Sequence, residues 1–369
     1  MTDAEPEATA HFVTLLEARD RLGALSFAQS LLESGWTRSD VIIGVLASAQ
    51  RRVGELWASG HWTVSQEHAA TAIVDVILTA LSSTEAGPRG RLVLACCEEE
   101  WHSLPARMLA ELLRDLGWDV TFLGASTDAD SLGGFLRVEM PVALLLSCSL
   151  SMNLVGASRM TDAAHAAGYR VLAGGAAFPS AKRALALGAD GWAASLAEAD
   201  QLLERWQHDG GAPGAAAAPG RAATAYVLSA QGELSDRAMD ALRMQLPRMA
   251  DFSDRQLSRT RSDFRYIIGF AAASMLVQDP TVFEEFLDWL DAILTRLGLP
   301  AVLALSLDTL ASVAPGQPQL LSVLAAGRAH LRQQVSVERV GSITPRQRGP
   351  LPTATGPGSA RSPHQVLES

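Results

Sequence analysis

Cysteine is scarce in this chain of 369 residues, which contains three of them. Cys96, Cys97 and Cys148 lie in or beside apolar runs that predict buried strands. Small secreted domains depend on many paired cysteines, and this spacing does not provide such a framework. The cysteines are therefore interpreted as small buried apolar residues of a protein in a reducing compartment. A metal site at the adjacent Cys96 and Cys97 is the weaker alternative, because no further cysteine pair accompanies them.

Basic residues and long apolar runs are also scarce in this chain. The chain has 30 basic and 40 acidic residues and a net charge of −10, which argues against a general nucleic-acid-binding protein. The apolar stretch 267–277 is far shorter than the roughly 20 residues of a membrane span. The acidic amino terminus lacks the layout of a signal peptide. These features predict a cytoplasmic protein that binds neither membranes nor nucleic acid.

Residues 8–84 carry a helical pattern of apolar residues and predict four helices joined by short connections. Trp57 falls at the end of the third predicted helix, while Val64, Glu67 and His68 fall in the first turns of the fourth. An aromatic ring, a carboxylate and an imidazole at one end of a bundle could together cover a polar aromatic ligand. Taken singly, they are better explained by a core tryptophan and an acidic residue favoured by the helix dipole.

Residues 89–207 alternate between apolar runs and helical patterns, which is typical of a doubly wound parallel sheet. Because parallel strands are buried on both faces, each strand should read as a continuous apolar run. Such runs are found at 91–97, 118–123, 142–148, 170–173 and near 190–193. Helices are predicted near 104–116, 128–137, 154–167, 179–187 and 196–207.

The loop that follows the first predicted strand, residues 100–105, contains the most informative residues of the chain. His102 would stand at the carboxyl edge of the sheet, where open α/β folds bind ligands. Imidazole is a common metal ligand, and Glu100 can accept the proton of its other ring nitrogen. A solvated loop histidine that caps the following helix is the alternative, and the loop alone favours it. That helix is predicted to carry on one face Leu104, Met108, Leu109, Leu112 and Leu113.

Three further loops are expected at the same edge of the sheet. Glycine lets the backbone approach a ligand closely, and a serine hydroxyl can hydrogen-bond to a buried heterocycle. Each loop alone is a weak signal, but four loops on one rim predict a pocket. The candidate binding residues of these three loops are Gly124, Ser147, Ser149, Leu150, Gly174, Gly175 and Phe178.

Residues 8–207 resemble the module of a helical bundle and a Rossmann-like domain that binds cobalamin. This module occurs in corrinoid methyltransferase proteins and in light-sensing cobalamin receptors related to MerR-type regulators. Its signature places an acidic residue two positions before a histidine, followed later by a serine loop and a Gly-Gly loop. The residues that match it in order and spacing are Glu100, His102, Ser147, Ser149 and Gly174-Gly175. Glutamate at position 100, where methyl carriers usually have aspartate, resembles the photoreceptor branch.

This resemblance implies that His102 is the lower axial ligand of cobalt and that Glu100 orients it. It also implies that the serine and Gly-Gly loops line a channel for the displaced nucleotide tail, and that the end of the bundle covers an adenosyl group. The implied cofactor-binding residues are Trp57, Val64, Glu67, His68, Glu100, Trp101, His102, Ser103, Leu104, Gly124, Ser147, Ser149, Leu150, Gly174, Gly175 and Phe178.

Two positions depart from the pattern of this family. Pro105 stands where the family usually has glycine, so the loop is expected to be stiffer. Ala58 follows Trp57, at the position where the gene-regulating photoreceptors carry a histidine that takes cobalt after illumination. That specific exchange of ligands is therefore in doubt, and His61, His68 or water would have to take the place.

The remainder of the chain is predicted to contain a linker, a helical domain and a tail. The linker, 208–224, is rich in Gly, Ala and Pro. An all-α domain follows at 225–336, in which residues 264–270 lead a strongly apolar helix. The composition of 337–369 predicts a disordered tail.

The order of these parts resembles photocobilins, in which a cobalamin photoreceptor module precedes a helical, globin-like domain that binds biliverdin. The resemblance implies a bilin held without a covalent bond. Arg261 and Arg265 would pair with its propionates, since guanidinium suits carboxylates, and Tyr266 would contact its pyrroles. A solvated charged face beside a core tyrosine is the alternative for these residues, and a domain that only dimerises is the alternative for the whole segment.

The sequence thus predicts a mixed fold, with an N-terminal helical bundle, an α/β Rossmann-like (flavodoxin-like) domain and a C-terminal all-α, globin-like domain. The resemblances imply a light sensor with adenosylcobalamin and biliverdin as its chromophores. No enzymatic output segment is recognised, so we expect a homo-oligomer whose state or contact with a separate signalling protein changes on illumination. A corrinoid methyl carrier is the first alternative function, and a flavodoxin-like module without corrinoid is the second.

Overall fold

A computed structural model describes residues 4–82, 87–214, 218–296, 299 and 301–340, with the backbone alone at 248, 296 and 334–340. The described chain forms two compact units, one within residues 4–214 and one within 218–340. The first unit contains a helical bundle and a parallel sheet, and the second contains helices.

The bundle is built as the apolar pattern predicts, with one difference. The third predicted helix starts with π-helical turns and becomes α-helical at Ser48. The interior between the helices is filled by large apolar side chains, among them Phe12, Leu16, Leu46 and Ile77, which are almost fully buried. The elements are α1 (Ala4–Glu17), α2 (Arg21–Glu33), the π-helix Asp40–Ala47, α3 (Ser48–Ala58) and α4 (Val64–Leu81).

The sheet has five parallel strands in the order β2-β1-β3-β4-β5. All five strand predictions are confirmed, with bounds that differ by at most one residue at either end. Burial on both faces explains their continuous apolar runs, since β3 is buried at every position. The strands are β1 (Arg91–Cys96), β2 (Asp119–Phe122), β3 (Ala143–Ser147), β4 (Val171–Gly174) and β5 (Gly191–Trp192).

The five helices predicted in this domain are confirmed as well. The strand order locates the edge of the sheet at which ligands bind. The chain runs from β1 outward to β2 and then returns across β1 to β3. In sheets of this order, ligands bind where the direction of winding reverses, at the carboxyl ends of β1 and β3. The helices are α5 (Ser103–Asp115), α6 (Ala129–Glu139), α7 (Leu154–Ala167), α8 (Ala181–Leu187) and α9 (Leu196–Asp209).

Helix α5 packs against both the bundle and the sheet. Leu104, Met108 and Leu112 belong to the bundle's apolar core. Leu113 belongs instead to the core against the sheet, and Leu109 is packed on that core. The prediction that these five leucine and methionine side chains share one face is wrong, because this helix has an apolar stripe on each of two sides. α5 therefore fixes the bundle to the sheet immediately after His102.

At the opposite, amino edge of the sheet, the partly buried carboxylate of Asp190 connects three segments of the chain. Asp190 Oδ2 accepts hydrogen bonds from His165 Nε2 on α7 at 2.8 Å and from the backbone N–H of Val171 on β4 at 2.7 Å. Its Oδ1 accepts from the N–H of Gly214, which follows α9, at 2.5 Å. Burial raises the pKa of Asp190, but these hydrogen bonds and the charge of His165 outweigh it and leave the pKa lowered.

Substituting Asp190 by asparagine is expected to destabilise the first unit by about 1–3 kcal/mol at neutral pH, because the buried N–H of Val171 and the partly buried His165 lose a charged acceptor. A lowered pKa in the folded state stabilises at pH above the unfolded pKa, and this stabilisation is lost as the pH falls through the folded pKa. The difference between wild type and variant, measured by urea unfolding, should therefore shrink below about pH 4. Asp209→Asn, at an exposed site, is the control; an equal loss there would contradict the assignment.

The second unit contains only helices among its described residues, and its core is rich in phenylalanine. Phe270 and Phe286 stack with ring centroids 4.0 Å apart, and Phe264 and Phe283 are fully enclosed. The elements are α10 (Arg221–Ser229), α11 (Gln231–Gln245), a 3-10 helix (Pro247–Asp251), α12 (Asp254–Val277), α13 (Thr281–Arg296), α14 (Val302–Val313) and α15 (Pro318–Val340).

Three boundaries in this part of the chain differ from the predictions. The predicted linker, 208–224, is too long, because α9 continues to Asp209 and α10 begins at Arg221. Phe264 lies inside α12 rather than at its start, since Ser253 caps that helix with a reciprocal bond to Gln256. Of the predicted disordered tail, 337–340 belong to α15, and 341–369 lie outside the described residues.

Among the described helices, none combines the length and the apolar character that crossing a membrane requires.

Candidate functional site

His102 lies at the carboxyl end of β1, and Glu100 holds it from two directions. The backbone N–H of His102 donates to Glu100 Oε1 at 2.9 Å, and Nδ1 of the same histidine is in short contact with the same oxygen. The glutamate is fully buried and the histidine is 5% exposed. With Nδ1 as the donor, Nε2 keeps its lone pair free to bind a metal. The alternative of a solvated capping histidine is wrong, because His102 is buried and its side chain makes no cap hydrogen bond.

The second oxygen of Glu100 joins this loop to the loop after β3. Oε2 accepts from the backbone N–H of Ser149 at 2.6 Å, from that of Leu150 at 2.9 Å and from Asn153 Nδ2 at 3.3 Å. Burial raises the pKa of Glu100, but the hydrogen bonds and charge of His102 and the Leu150 N–H outweigh it, so the pKa is lowered. Glu100 is therefore an ionised acceptor at the point where the winding of the sheet reverses.

Asn153 is a site residue that the sequence analysis missed. It also donates to the backbone carbonyl of Glu99 at 3.2 Å, so it connects the start of α7 to the His102 loop. No short motif marks it, because its partners lie more than fifty positions earlier in the chain. Ser149, in contrast, was predicted for its hydroxyl, but its contact with Glu100 is made by its backbone N–H.

The loop after β2 is fixed to the His102 loop by backbone geometry. Gly124 has a φ of +84°, and Ser126 is left-handed at +48°. Ser126 Oγ accepts from the N–H of Glu99 at 3.0 Å, while the Ser126 N–H donates to the carbonyl of Glu100 at 2.9 Å. A Cβ on Gly124 would meet no atom within 4 Å, so this glycine borders open space.

The Gly-Gly loop after β4 combines one tight position with one open position. At Gly175 (φ +98°), a Cβ would stand 2.4 Å from the carbonyl oxygen of Cys148, so no other residue fits there. At Gly174 a Cβ would meet nothing within 4 Å, which leaves room beside the backbone for a ligand. Ser147 is buried at the end of β3. Phe178 is also buried, and its carbonyl accepts from Trp192 Nε1 at 2.7 Å, which gives it a structural role.

The residues next to His102 differ in how much they face the site. Trp101 and Ser103 are partly exposed, and Ser103 is the first residue of α5. Leu104 was predicted to bind the cofactor, but its side chain is 4% exposed and belongs to the core of the bundle. Pro105 lies in the first helical turn, where a backbone N–H has no partner in the helix.

The bundle contributes a second Glu–His pair. Trp57 is 7% exposed at the end of α3, and Thr63 starts α4 with a capping box that involves Gln66. Glu67 is 2% exposed, and its Oε2 lies 2.6 Å from Nδ1 of His68, whose side chain is 43% exposed. Val64 is half-buried in the first turn of α4.

Glu67 lies close enough to His102 for their charges to interact. Burial raises the pKa of Glu67, and hydrogen bonds from His68 and Thr71 and the charges of His68 and His102 offset this only in part. Glu67, at the start of α4, is therefore within electrostatic range of the loop that carries His102.

Two of the cysteines form a pair beneath the site. The side chains of Cys97 and Cys148 and the carboxylate of Glu100 place donor atoms within 4.8 Å of one another. Burial is the main cause of the raised pKa of both thiols, which therefore stay protonated. Both Glu100 oxygens are already engaged, so the interpretation as small buried residues is preferred to a metal site. The pairing across β1 and β3 was missed, since the two residues are far apart in sequence.

His102 offers a metal one nitrogen ligand, so the site suits a metal that brings most of its ligands with it. Among the described residues, the one group of three or more metal-binding side chains does not include His102. A metal bound to its Nε2 would therefore need its other ligands from a macrocycle or from solvent. The open space beside Gly124 and Gly174 is consistent with a large group lying over this edge of the sheet.

The comparison with protein families indicates a corrin as the macrocycle. Residues 90–200, which contain the sheet and the His102 loop, match the family described as B12 binding domain. The helical bundle also matches a B12 binding domain. The second match covers residues 10–82, which form the bundle with Trp57 and Glu67. Cobalamin binding by the first unit is therefore supported by the family matches and by the donor chemistry of the site.

One curated relative with a matching segment is a regulatory protein. The HTH-type transcriptional repressor CarH of Myxococcus xanthus is 44% identical over 112 residues, which are 30% of this chain. The match spans 37% of the repressor's length, so it covers little more than a third of that protein.

Two solved structures are similar over 54% of this chain. The monomethylamine corrinoid protein of Methanosarcina barkeri is 20% identical, with a TM-score of 0.45 and 99% of that chain covered. A cobalamin-binding protein from Desulfitobacterium hafniense DCB-2 is 19% identical, with a TM-score of 0.30 and 98% of that chain covered. The assignment of the first unit rests on the family matches rather than on these structures.

The three residues predicted to bind a bilin lie in the second unit, on α12. Arg261 forms an ion pair with Asp236 on α11, at 2.8 Å between Nε and Oδ1. Arg265, one turn further along the helix, is exposed, and Tyr266 is half-buried. Arg261 thus already has a carboxylate partner within its own unit.

Proposed function

We propose that the protein is a light sensor that holds adenosylcobalamin between the bundle and the carboxyl edge of the sheet. The observation that carries this proposal is the buried Glu100–His102 pair, which leaves Nε2 of His102 free within a B12 binding domain. The relative CarH, a transcriptional repressor, supports a regulatory role over a catalytic one. We therefore infer that the chain is a receptor rather than an enzyme.

In this proposal the two Glu–His pairs have different tasks. His102 would hold the cobalt through Nε2, and Glu100 would keep its ring in place and its Nδ1 protonated. Trp57 and Glu67 cover the upper face, with Val64 and His68 beside them. The loops at Ser147, Ser149 and Gly174-Gly175 border the space for the nucleotide tail.

Adenosylcobalamin supplies absorption of visible light and a cobalt–carbon bond that light breaks. The residues of the chain then determine the response. Trp57 and Glu67, which are both buried, would contact the adenosyl group, and its loss would remove these contacts. The end of α3 and the start of α4 can then shift against α5, which changes the surface offered to a second copy or to a signalling partner.

Biliverdin as a second chromophore belongs to the same proposal. It is supported by the order of the parts, by the all-α second unit and by two arginines one turn apart on α12, of which Arg265 is exposed. A globin-like fold for this unit is proposed on the same grounds. Dimerisation through the second unit remains the alternative, and an absorption spectrum with biliverdin separates the two.

The test is reconstitution of the purified chain with adenosylcobalamin in the dark. We expect a coloured complex whose spectrum changes on green illumination, together with a change in mass measured by light scattering. Added biliverdin should produce a red-absorbing band that a chain truncated after residue 214 does not show. The matched dark sample and a sample loaded with cyanocobalamin, which lacks the adenosyl group, are the controls.

Two results would contradict the proposal in different ways. A chain that stays colourless with every corrinoid would exclude cobalamin binding altogether. A complex that prefers methylcobalamin, keeps its mass in light and passes the methyl group to an acceptor would indicate a methyl carrier instead.

A further inference from the structure

A chain of buried polar side chains runs through the bundle behind Glu67. Gln50 Nε2 on α3 donates to Thr71 Oγ1 on α4 at 3.1 Å, and Thr71 Oγ1 donates to Glu67 Oε1 at 2.9 Å. All three are buried, with 6%, 8% and 2% of their surfaces exposed for Gln50, Thr71 and Glu67. The other oxygen of Glu67 is held by His68. The carboxyl group is therefore fixed at both oxygens.

This arrangement stands out because the surrounding interior is apolar. Ala49, Val53, Ala70 and Val74, which neighbour the polar chain on α3 and α4, are fully buried. Apolar residues at positions 50 and 71 would fill the same interior without the desolvation penalty of a buried amide and hydroxyl. Gln50 bonds to Thr71 and Thr71 bonds to Glu67, so their evident effect is to orient that carboxyl group.

The neighbours of Glu67 indicate which part of a bound ligand its carboxyl group would contact. Glu67 lies in the first turn of α4, and α4 is joined by hydrogen bonds of Arg107 to α5, the helix that begins immediately after His102, the proposed lower ligand. The charge of His102 also influences the pKa of Glu67. Trp57, near the end of α3, and Glu67, in the first turn of α4, lie on either side of the short connection between these helices. A fixed carboxyl group there can hydrogen-bond to the hydroxyls and amino group of an adenosyl group, whereas a methyl group offers it nothing.

We propose that Gln50 and Thr71 are positioning residues that orient Glu67 and so make the site prefer adenosylcobalamin over methylcobalamin. This inference rests on the proposed function, since it assumes that the bundle covers the upper face of cobalamin. It adds two residues on the far side of Glu67 that touch no part of the cofactor.

The test is the affinity of the full chain for the two cobalamins, measured in the dark by calorimetry. Thr71→Val keeps the shape of the side chain and removes the hydroxyl. We expect it to weaken adenosylcobalamin binding about tenfold, the effect of one buried hydrogen bond, and to leave methylcobalamin binding unchanged. Thr71→Ser should restore most of the preference, because it restores the hydroxyl.

Gln50→Met is the second variant, in case Thr71→Val does not fold, and should reduce the same preference less. Thr79→Val is the matched control, since Thr79 lies on the exposed side of α4, two turns beyond Thr71. Equal losses for both cobalamins, or a failure of Thr71→Ser to recover the preference, would assign these residues to packing alone and overturn the inference. A wild-type chain that binds no cobalamin would instead overturn the proposed function.

Discussion

Replacing His102 by alanine is expected to weaken cobalamin binding by at least about 100-fold. Loss of a residue that only orients a metal ligand typically costs about 10–100-fold in affinity, and loss of the ligand itself should cost more. The fold should remain, because Glu100 keeps its bonds to the His102 backbone N–H and to the loop after β3. The variant should therefore be stable but should lose its cofactor during gel filtration.

The measurement compares retained cobalamin, its absorption spectrum and thermal unfolding in the wild type and the variant. Addition of free imidazole should restore part of the wild-type spectrum, since it supplies the missing ligand. His208→Ala is the matched control, because His208 is exposed on α9 and its Nδ1 contacts the carbonyl of Glu204 at 2.7 Å. An unchanged affinity and spectrum in His102→Ala would remove this residue from the site.

The parts of the site that the sequence predicts are those encoded by short-range order. Glu100 and His102 are two positions apart, so a loop between a strand and a helix brings them together without help from the rest of the chain. Gly175 can be recognised for a similar reason, since Gly174 and Gly175 are adjacent and stand directly at the end of the apolar run of β4. The continuous apolar runs that alternate with helical patterns also predict all five strands.

The parts that the sequence does not predict depend on the register of distant strands. Asn153, the Cys97–Cys148 pair and the backbone N–H groups that bind Glu100 meet only because β1 pairs in register with β3. The two apolar sides of α5 are a similar case, because one helical stripe cannot reveal which of two cores each residue enters. Gln50 and Thr71 read as ordinary helix residues until α3 and α4 are placed side by side.

Pro105, where the cobalamin-binding module that the sequence resembles usually has glycine, illustrates how a local departure can be harmless. Proline lacks an N–H and restricts φ, so a stiffer loop was expected. Pro105 lies in the first turn of α5, where the helix makes no use of that N–H. His102 lies immediately before this turn, so its position is compatible with proline. The restriction of φ by proline affects the start of the helix rather than the Glu100–His102 contact.

Replacing Glu100 by glutamine is expected to lower the free energy of unfolding by about 2–4 kcal/mol and also to weaken cobalamin binding. The carboxylate accepts from His102 on one oxygen and from Ser149, Leu150 and Asn153 on the other. A carboxamide has one acceptor end, so its NH₂ must face a group of buried donors whichever way it is turned. The loss arises from uncompensated donors as well as from the missing charge.

This pattern of effects distinguishes orientation of a ligand from ligation itself. His102→Ala should lose affinity and keep stability, whereas Glu100→Gln should lose both, with an affinity loss of about 10–100-fold. Urea unfolding of the cofactor-free chains and cobalamin titration give the two quantities separately. Glu99→Gln, an exposed neighbour in the same loop, is the control and should change neither. If Glu100→Gln matched that control, the contacts between Glu100 and the loop after β3 would contribute nothing to the site, and His102 would have to be held by its backbone alone.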